Sequence, residues 1–265
     1  MSNTGLYMRD SGAGRPVVLI HGWSCPGQFF QNQIDSLQPH ARCLVPDLPG
    51  HGQTGNHLPL TIEAAAEAVY ADLVERDISD AIVCGWSMGA LVTYAMVERF
   101  GADRLSAFVA IDMTPKVLNT STWQNGTLNG LNSELNQVFL DAIVPDWPKL
   151  PGRIASRLFA DGLPVGQAQK EKAAQEIAKA DPALLKPMWA SLTAQDFRPL
   201  LADFPVPFHL VAGRRSQLYG HSVHRWHEKH VPDFQLHLYD RSGHAPHMEE
   251  PARFNALLMD LINQT

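Results

Sequence analysis

Ser87 stands in GWSMG, with the apolar run AIVC before it and ALVTYAMVERF after it. A serine hydroxyl is a poor nucleophile at neutral pH and needs a base beside it. Glycines at 85 and 89 let a strand and a helix cross closely, and a tight strand-to-helix turn lifts the serine above the sheet edge. The following helix N-terminus adds free N–H groups and a positive dipole end. The plainer account is a turn whose serine only caps the helix. Twelve histidines occur, so a histidine alone says little. His244 differs because it sits in YDRSGHAPHMEEP, between the last apolar run and the last helical pattern. That places it at the carboxyl end of a strand, on the edge where open parallel sheets bind ligands. His247, three residues on, reads as a structural or helix-entry residue. A serine and a histidine so placed suit acyl transfer, which also needs donors for a developing oxyanion. The backbone N–H groups of Met88 and of Trp23, in HGWS after the first apolar run, are the natural pair; the plainer account of His21-Gly22 is a strand-ending turn.

The elements that must position these groups can be read from the apolar periodicity. Strands are expected at 15–23, at the start of 41–55, at 80–86 and at 105–112, with helices at 28–38, 61–77 and 88–100. Thr61 is the expected cap of the second helix. This alternation indicates βαβ units and a parallel sheet. It breaks after Asp112: residues 113–200 hold helix-like segments at 131–143, 167–179 and 183–195 and no convincing strand. Strands then return at 206–213 and 234–240, with helices near 221–230 and 251–264. The expected organisation is a core domain of 1–112 and 201–265, interrupted by a helical cap at 113–200. Aromatic and methionine side chains are frequent in the cap. Trp123, Trp147, Met188 and Trp189, together with Trp86 beside the serine, are candidates for a substrate pocket, against the plainer account that they pack the cap onto the sheet.

Composition bounds the rest. The 265 residues carry 45% hydrophobic and 18% charged side chains, an ordinary globular balance. A net charge of −6 gives no electrostatic case for nucleic acid or an anionic membrane. Three cysteines without CxxC spacing argue against a disulfide scaffold and suggest a reducing compartment. The first residues lack the pattern of a secretory leader and no apolar run is long enough to span a bilayer, so a cytoplasmic, soluble protein is expected. No metal-ligand cluster and no phosphate-binding loop is visible, and no cofactor is expected.

HGW, DLPGHGQTG, GWSMG and GHAPHMEEP occur in the order seen in the α/β-hydrolase superfamily, and the chain resembles its small bacterial esterases, cofactor-free haloperoxidase-like perhydrolases and related C–C bond hydrolases. The resemblance covers nearly everything outside 113–200. It implies an α/β-hydrolase fold, a Ser–His–acid triad, an oxyanion hole near Trp23 and Met88, and a cap after the fourth strand. It also implies that the 47–52 loop lies beside the pocket, with His51 structural. The family most often carries its acid after the strand VPFHLVAG, in a G-x-x-D pattern; here that place reads GRRS and ends in Ser216. Asp112 is the best alternative. It ends an apolar strand at the same edge, and a subset of the family uses an acid there. Two other accounts stand: Asp112 only caps a helix beginning at DMTP, or another carboxylate serves.

The expected function is a serine hydrolase cleaving a carboxylic ester of an apolar or aromatic small molecule, with Ser87, His244 and Asp112 as its triad. Two other classes share this outline. One is the cofactor-free dioxygenases of the same fold, in which a His–Asp base acts on a hydroxylated N-heteroaromatic ring. The other is a ligand receptor without catalysis, which has no need of a matched triad.

Overall fold

The computed structural model describes residues 4–162 and 167–264; residues 1–3, 163–166 and Thr265 lie outside them. The elements in chain order are β1 (Tyr7–Ser11), β2 (Pro16–Ile20), a short 3₁₀ turn (Gly27–Phe30), α1 (Gln31–Leu37), β3 (Arg42–Asp47), α2 (Ile62–Glu75), β4 (Ala81–Trp86), α3 (Met88–Phe100) and β5 (Leu105–Ile111). There follow α4 (Ser133–Ile143), a 3₁₀ turn (Trp147–Lys149), α5 (Leu150–Leu158), α6 (Gln167–Ile177), α7 (Pro182–Ala194) and α8 (Arg198–Leu201). The chain closes with β6 (Phe208–Gly213), α9 (His221–His230), β7 (Phe234–Tyr239), α10 (Pro246–Glu249) and α11 (Pro251–Asn263).

The strands form one sheet in the order β1-β3-β2-β4-β5-β6-β7. All neighbours are parallel except β1, which pairs antiparallel with β3 from Tyr7↔Asp47 to Ser11↔Cys43. The middle strands are buried on both faces, as their unbroken apolar sequences require: PVVLI in β2, AIVCGW in β4 and FHLVAG in β6. The chain leaves β2 in one direction to β3 and returns on its other side to β4. The crevice at the carboxyl ends of β2 and β4 is therefore a topological switch point, the place such sheets bind ligands.

Local chemistry sets the helix ends. Thr61 Oγ1 accepts from the Ala64 N–H at 3.2 Å, Asn132 Oδ1 from Leu135 at 2.9 Å and Asp181 Oδ1 from Ala183 at 2.8 Å. In α3 every residue from Met88 to Val97 is buried, so this helix lies inside the molecule between the sheet and α2. The insertion between β5 and β6 is helical and forms the cap region. It contains α5, which the sequence reading left out because its first turn is Leu-Pro-Gly, a pattern that reads as a loop. The reading also left out β1: YMRDS has no apolar alternation and is held as a half-buried edge strand by β3. All three cysteines are free and buried. No described helix is long and apolar enough to cross a membrane.

Close packing of α3 on β2 depends on one missing side chain. A Cβ on Gly89 would lie 2.1 Å from the Ile20 carbonyl oxygen, a backbone atom that cannot rotate away. Gly89→Ala is therefore expected to lower the melting temperature by about 5 °C or more, read by circular dichroism, since overpacking costs about 1–3 kcal/mol and each is about 2–4 °C at this size.

Candidate active site

Ser87 links β4 to α3 with φ +52° and ψ −116°, a strained conformation for any residue with a side chain. Its surroundings impose it. The Ser87 N–H donates to the Ile111 carbonyl at 3.1 Å, and the Ala90 N–H donates to the Ser87 carbonyl at 2.9 Å. Strain of this kind persists where the fold over-determines it, and it concentrates at functional sites. Met88 is the first residue of α3, so its N–H has no intrahelical acceptor. The loop after β2 faces the serine directly: a Cβ on Gly22 would lie 3.3 Å from Ser87 Cβ. Trp23, the next residue, is fixed by its own indole, which donates to the Leu185 carbonyl of α7 at 3.0 Å.

His244 and Asp112 come together from positions 132 residues apart. His244 Nδ1 meets Asp112 Oδ2 at 2.7 Å, with the two residues 2% and 1% exposed. That exposure matters because an ion pair or charge-assisted hydrogen bond is far less screened there than at the surface. Asp112 follows β5 directly with φ +44°, and its N–H donates to the Val211 carbonyl of β6 at 2.8 Å. An aspartate tolerates this left-handed backbone better than most side chains. No helix begins at DMTP; the next described helix after Asp112 is α4, so the capping account of Asp112 has no helix to cap. Ser216 at the usual acid position points at the same carboxylate and donates to Asp112 Oδ2 at 2.6 Å.

Three further groups hold this frame. Trp86 is fully buried beneath the His244 loop, and its indole N–H donates to the His244 carbonyl at 2.8 Å. His21 and His51 fasten the loop after β2. Each places Nδ1 against a carbonyl, of Gly22 at 2.9 Å and of Pro49 at 3.0 Å. Each Nε2 accepts a backbone N–H, from Leu48 and from Ser24, both at 2.9 Å. Burial lowers His21 to about 4 and His51 to about 3, so both rings stay neutral at ordinary pH with every nitrogen engaged. Glu249 joins the histidine loop to the cap: its two carboxylate oxygens accept from Gly243 and from Ala160, each at 2.7 Å. His247 lies among Phe30, Trp86 and Phe254, and burial pushes it down to about 3.

The candidate pocket residues divide. Trp147 and Trp189 reach Trp23, with ring centroids 6.4 Å and 4.8 Å away, and Phe139 completes the cluster at 6.0 Å. Met188 is fully buried in α7. Trp123 lies apart from this cluster, edge-on to Trp226 at 5.4 Å and under the Arg198 guanidinium. Trp86 packs behind His244. Sequence reasoning missed Tyr219, whose ring lies 5.8 Å from that of His244, and Glu249. Neither carries a motif; the only signal was their nearness to residues already singled out. A separate cavity of about 580 Å³ lies between the 47–55 loop and the α6–α7 region, and none of Ser87, Asp112 or His244 lines it. Among the described residues no group of three His, Cys, Asp or Glu side chains could hold a metal ion.

The model of the alpha/beta hydrolase family matches residues 17–257, and the chain belongs to that family. It is an α/β-hydrolase-fold enzyme, esterase-like in kind. A pimeloyl-[acyl-carrier protein] methyl ester esterase from Vibrio cholerae serotype O1 is 29% identical over 262 residues, covering 98% of each chain. An esterase from Exiguobacterium antarcticum superposes with a TM-score of 0.90 at 17% identity, over 98% of this chain and 96% of that one. A bromoperoxidase from Bacillus anthracis superposes with a TM-score of 0.88 at 20% identity, over 98% and 95%.

Two outcomes follow from this geometry. Asp112→Asn should keep the fold and lower kcat for ester hydrolysis by about 10³–10⁴, because the ring then loses both its orientation and its counter-charge; steady-state kinetics with a matched melting curve checks this. Burial raises Glu249 to about 7, above the value it has in the unfolded chain, against the lowering effect of its two backbone N–H donors. A carboxyl raised on folding contributes stability that is full below its unfolded value and is lost as pH rises through about 7. The stability of the wild type relative to Glu249→Gln should therefore fall between about pH 5 and pH 8, measured by thermal melts across that range.

Proposed function

We propose that this protein is a carboxylic ester hydrolase that works through an acyl-enzyme on Ser87. The observation that carries the reading is the buried 2.7 Å contact between His244 Nδ1 and Asp112, on the sheet edge where Ser87 is presented. With Nδ1 committed to the carboxylate, Nε2 is the nitrogen left to take the serine proton. Ser87 Oγ attacks the ester carbonyl as His244 accepts that proton. The oxyanion rests on the N–H groups of Trp23 and Met88, and Asp112 stabilises the imidazolium that forms. The tetrahedral species collapses, and the leaving alcohol takes the proton from His244. Water, activated by the same histidine, then releases the acid and restores the serine.

The rings of Trp23, Phe139, Trp147 and Trp189 favour an ester with an apolar or aromatic acyl part. The curated relatives are named for a methyl ester, which fits a small alcohol leaving group. The place of Asp112 after β5 also suits the second reading, a cofactor-free dioxygenase acting on a hydroxylated N-heteroaromatic ring with the His244–Asp112 pair as base.

A fluorophosphonate probe followed by intact-mass measurement should add one label at Ser87 and none in Ser87→Ala, and that variant should lose ester turnover by at least ~10⁴. A folded protein that takes no label, together with metal-independent oxygen consumption on a hydroxyquinolone, would replace the hydrolase with the dioxygenase.

A further inference from the structure

Ser216 does more than fill the place of a missing acid. A serine hydroxyl has one donor and two acceptor sites. Both acceptor sites of Ser216 Oγ face backbone N–H groups, of Leu218 at 3.2 Å and of Tyr219 at 3.3 Å. The hydroxyl hydrogen is thereby left for one partner, and that partner is Asp112 Oδ2 at 2.6 Å. The same carboxylate oxygen meets His244 Nδ1, while Oδ1 has no hydrogen-bond partner among the described residues. With Oδ1 unpartnered, the carboxylate plane can swing about the His244 contact unless a second donor fixes where Oδ2 sits. Ser216 is that second donor, and it is itself fixed by the donation of its own N–H to the Gly213 carbonyl at 3.1 Å.

The sheet explains why the two side chains meet. β5 and β6 are parallel neighbours with Ile111 opposite Val211, so Asp112 leaves its strand beside the end of β6. Ser216 follows Gly213, the last residue of β6, by one turn.

We propose that Ser216 is the positioning residue of the triad acid: its hydroxyl holds the Asp112 oxygen that meets His244. This rests on the reading of Ser87, His244 and Asp112 as a triad. With p-nitrophenyl butyrate as the probe, Ser216→Ala should lower kcat by about 10-fold or more with KM unchanged, the scale of one hydrogen bond to a charged group. Ser216→Thr, which keeps the hydroxyl, should recover most of that loss. Wild-type kcat in Ser216→Ala overturns the positioning role while leaving the triad intact, provided Asp112→Asn is inactive. Wild-type turnover in Asp112→Asn removes the triad itself and this proposal with it. Should Ser216→Ala not fold, Ser216→Cys, which keeps the volume but offers only a weak S–H donor, should lower kcat with KM unchanged, and wild-type kcat there overturns the positioning role.

Discussion

The hydrogen bond between Asp112 and His244 sets a geometric condition that the whole sheet has to meet. One partner leaves β5 and the other leaves β7, with β6 between them, and both side chains must arrive within 2.7 Å in a place closed to water. In water such a pair is weakly coupled; in the dry interior a charge without its partner is expensive. The fold meets the condition with backbone contacts. The N–H of Asp112 is tied to β6, the carbonyl of His244 to the Trp86 indole, and the turn of Ser87 to the end of β5. Each of these ties joins the end of one strand to a neighbouring strand or loop, so the site is braced from β4, β5 and β6 together.

Ser87 and the loop opposite it obey a second condition, close approach. Ser87 sits in a backbone region that side chains avoid, and the 21–24 loop comes within van der Waals distance of it. Two neutral histidines hold that loop by spending every ring nitrogen on main-chain groups. Titratable residues are used here as rigid brackets, and burial keeps them from titrating near neutral pH.

Most of the architecture was legible because its signals are local. Strand–helix alternation, the Thr61 cap and the glycine pair around Ser87 all act within a few residues, and Asp112 stood out as an acid at the end of an apolar strand. What was not legible depends on distant partners. β1 has polar residues and exists because β3 offers it an edge. Trp86 reads as an ordinary aromatic next to a serine, and only the folded chain puts its N–H under His244. Ser216 reads as the loss of an acid, and its use is visible only once Asp112 arrives from 104 positions away. Trp123 looked equivalent to Trp147 and Trp189 in composition, yet it packs on Trp226, because a tryptophan count carries no direction.

The Glu249 carboxylate grips Gly243 with one oxygen and Ala160 with the other. Gly243 precedes His244 and Ala160 follows α5 of the cap, and the two backbones already touch: a Cβ on Gly243 would lie 2.4 Å from the Phe159 carbonyl carbon. This makes the link an interlock. Through Glu249 the backbone just before His244 and the cap backbone after α5 are fastened to the same side chain, so neither can be displaced at this point without breaking a hydrogen bond that also positions the other.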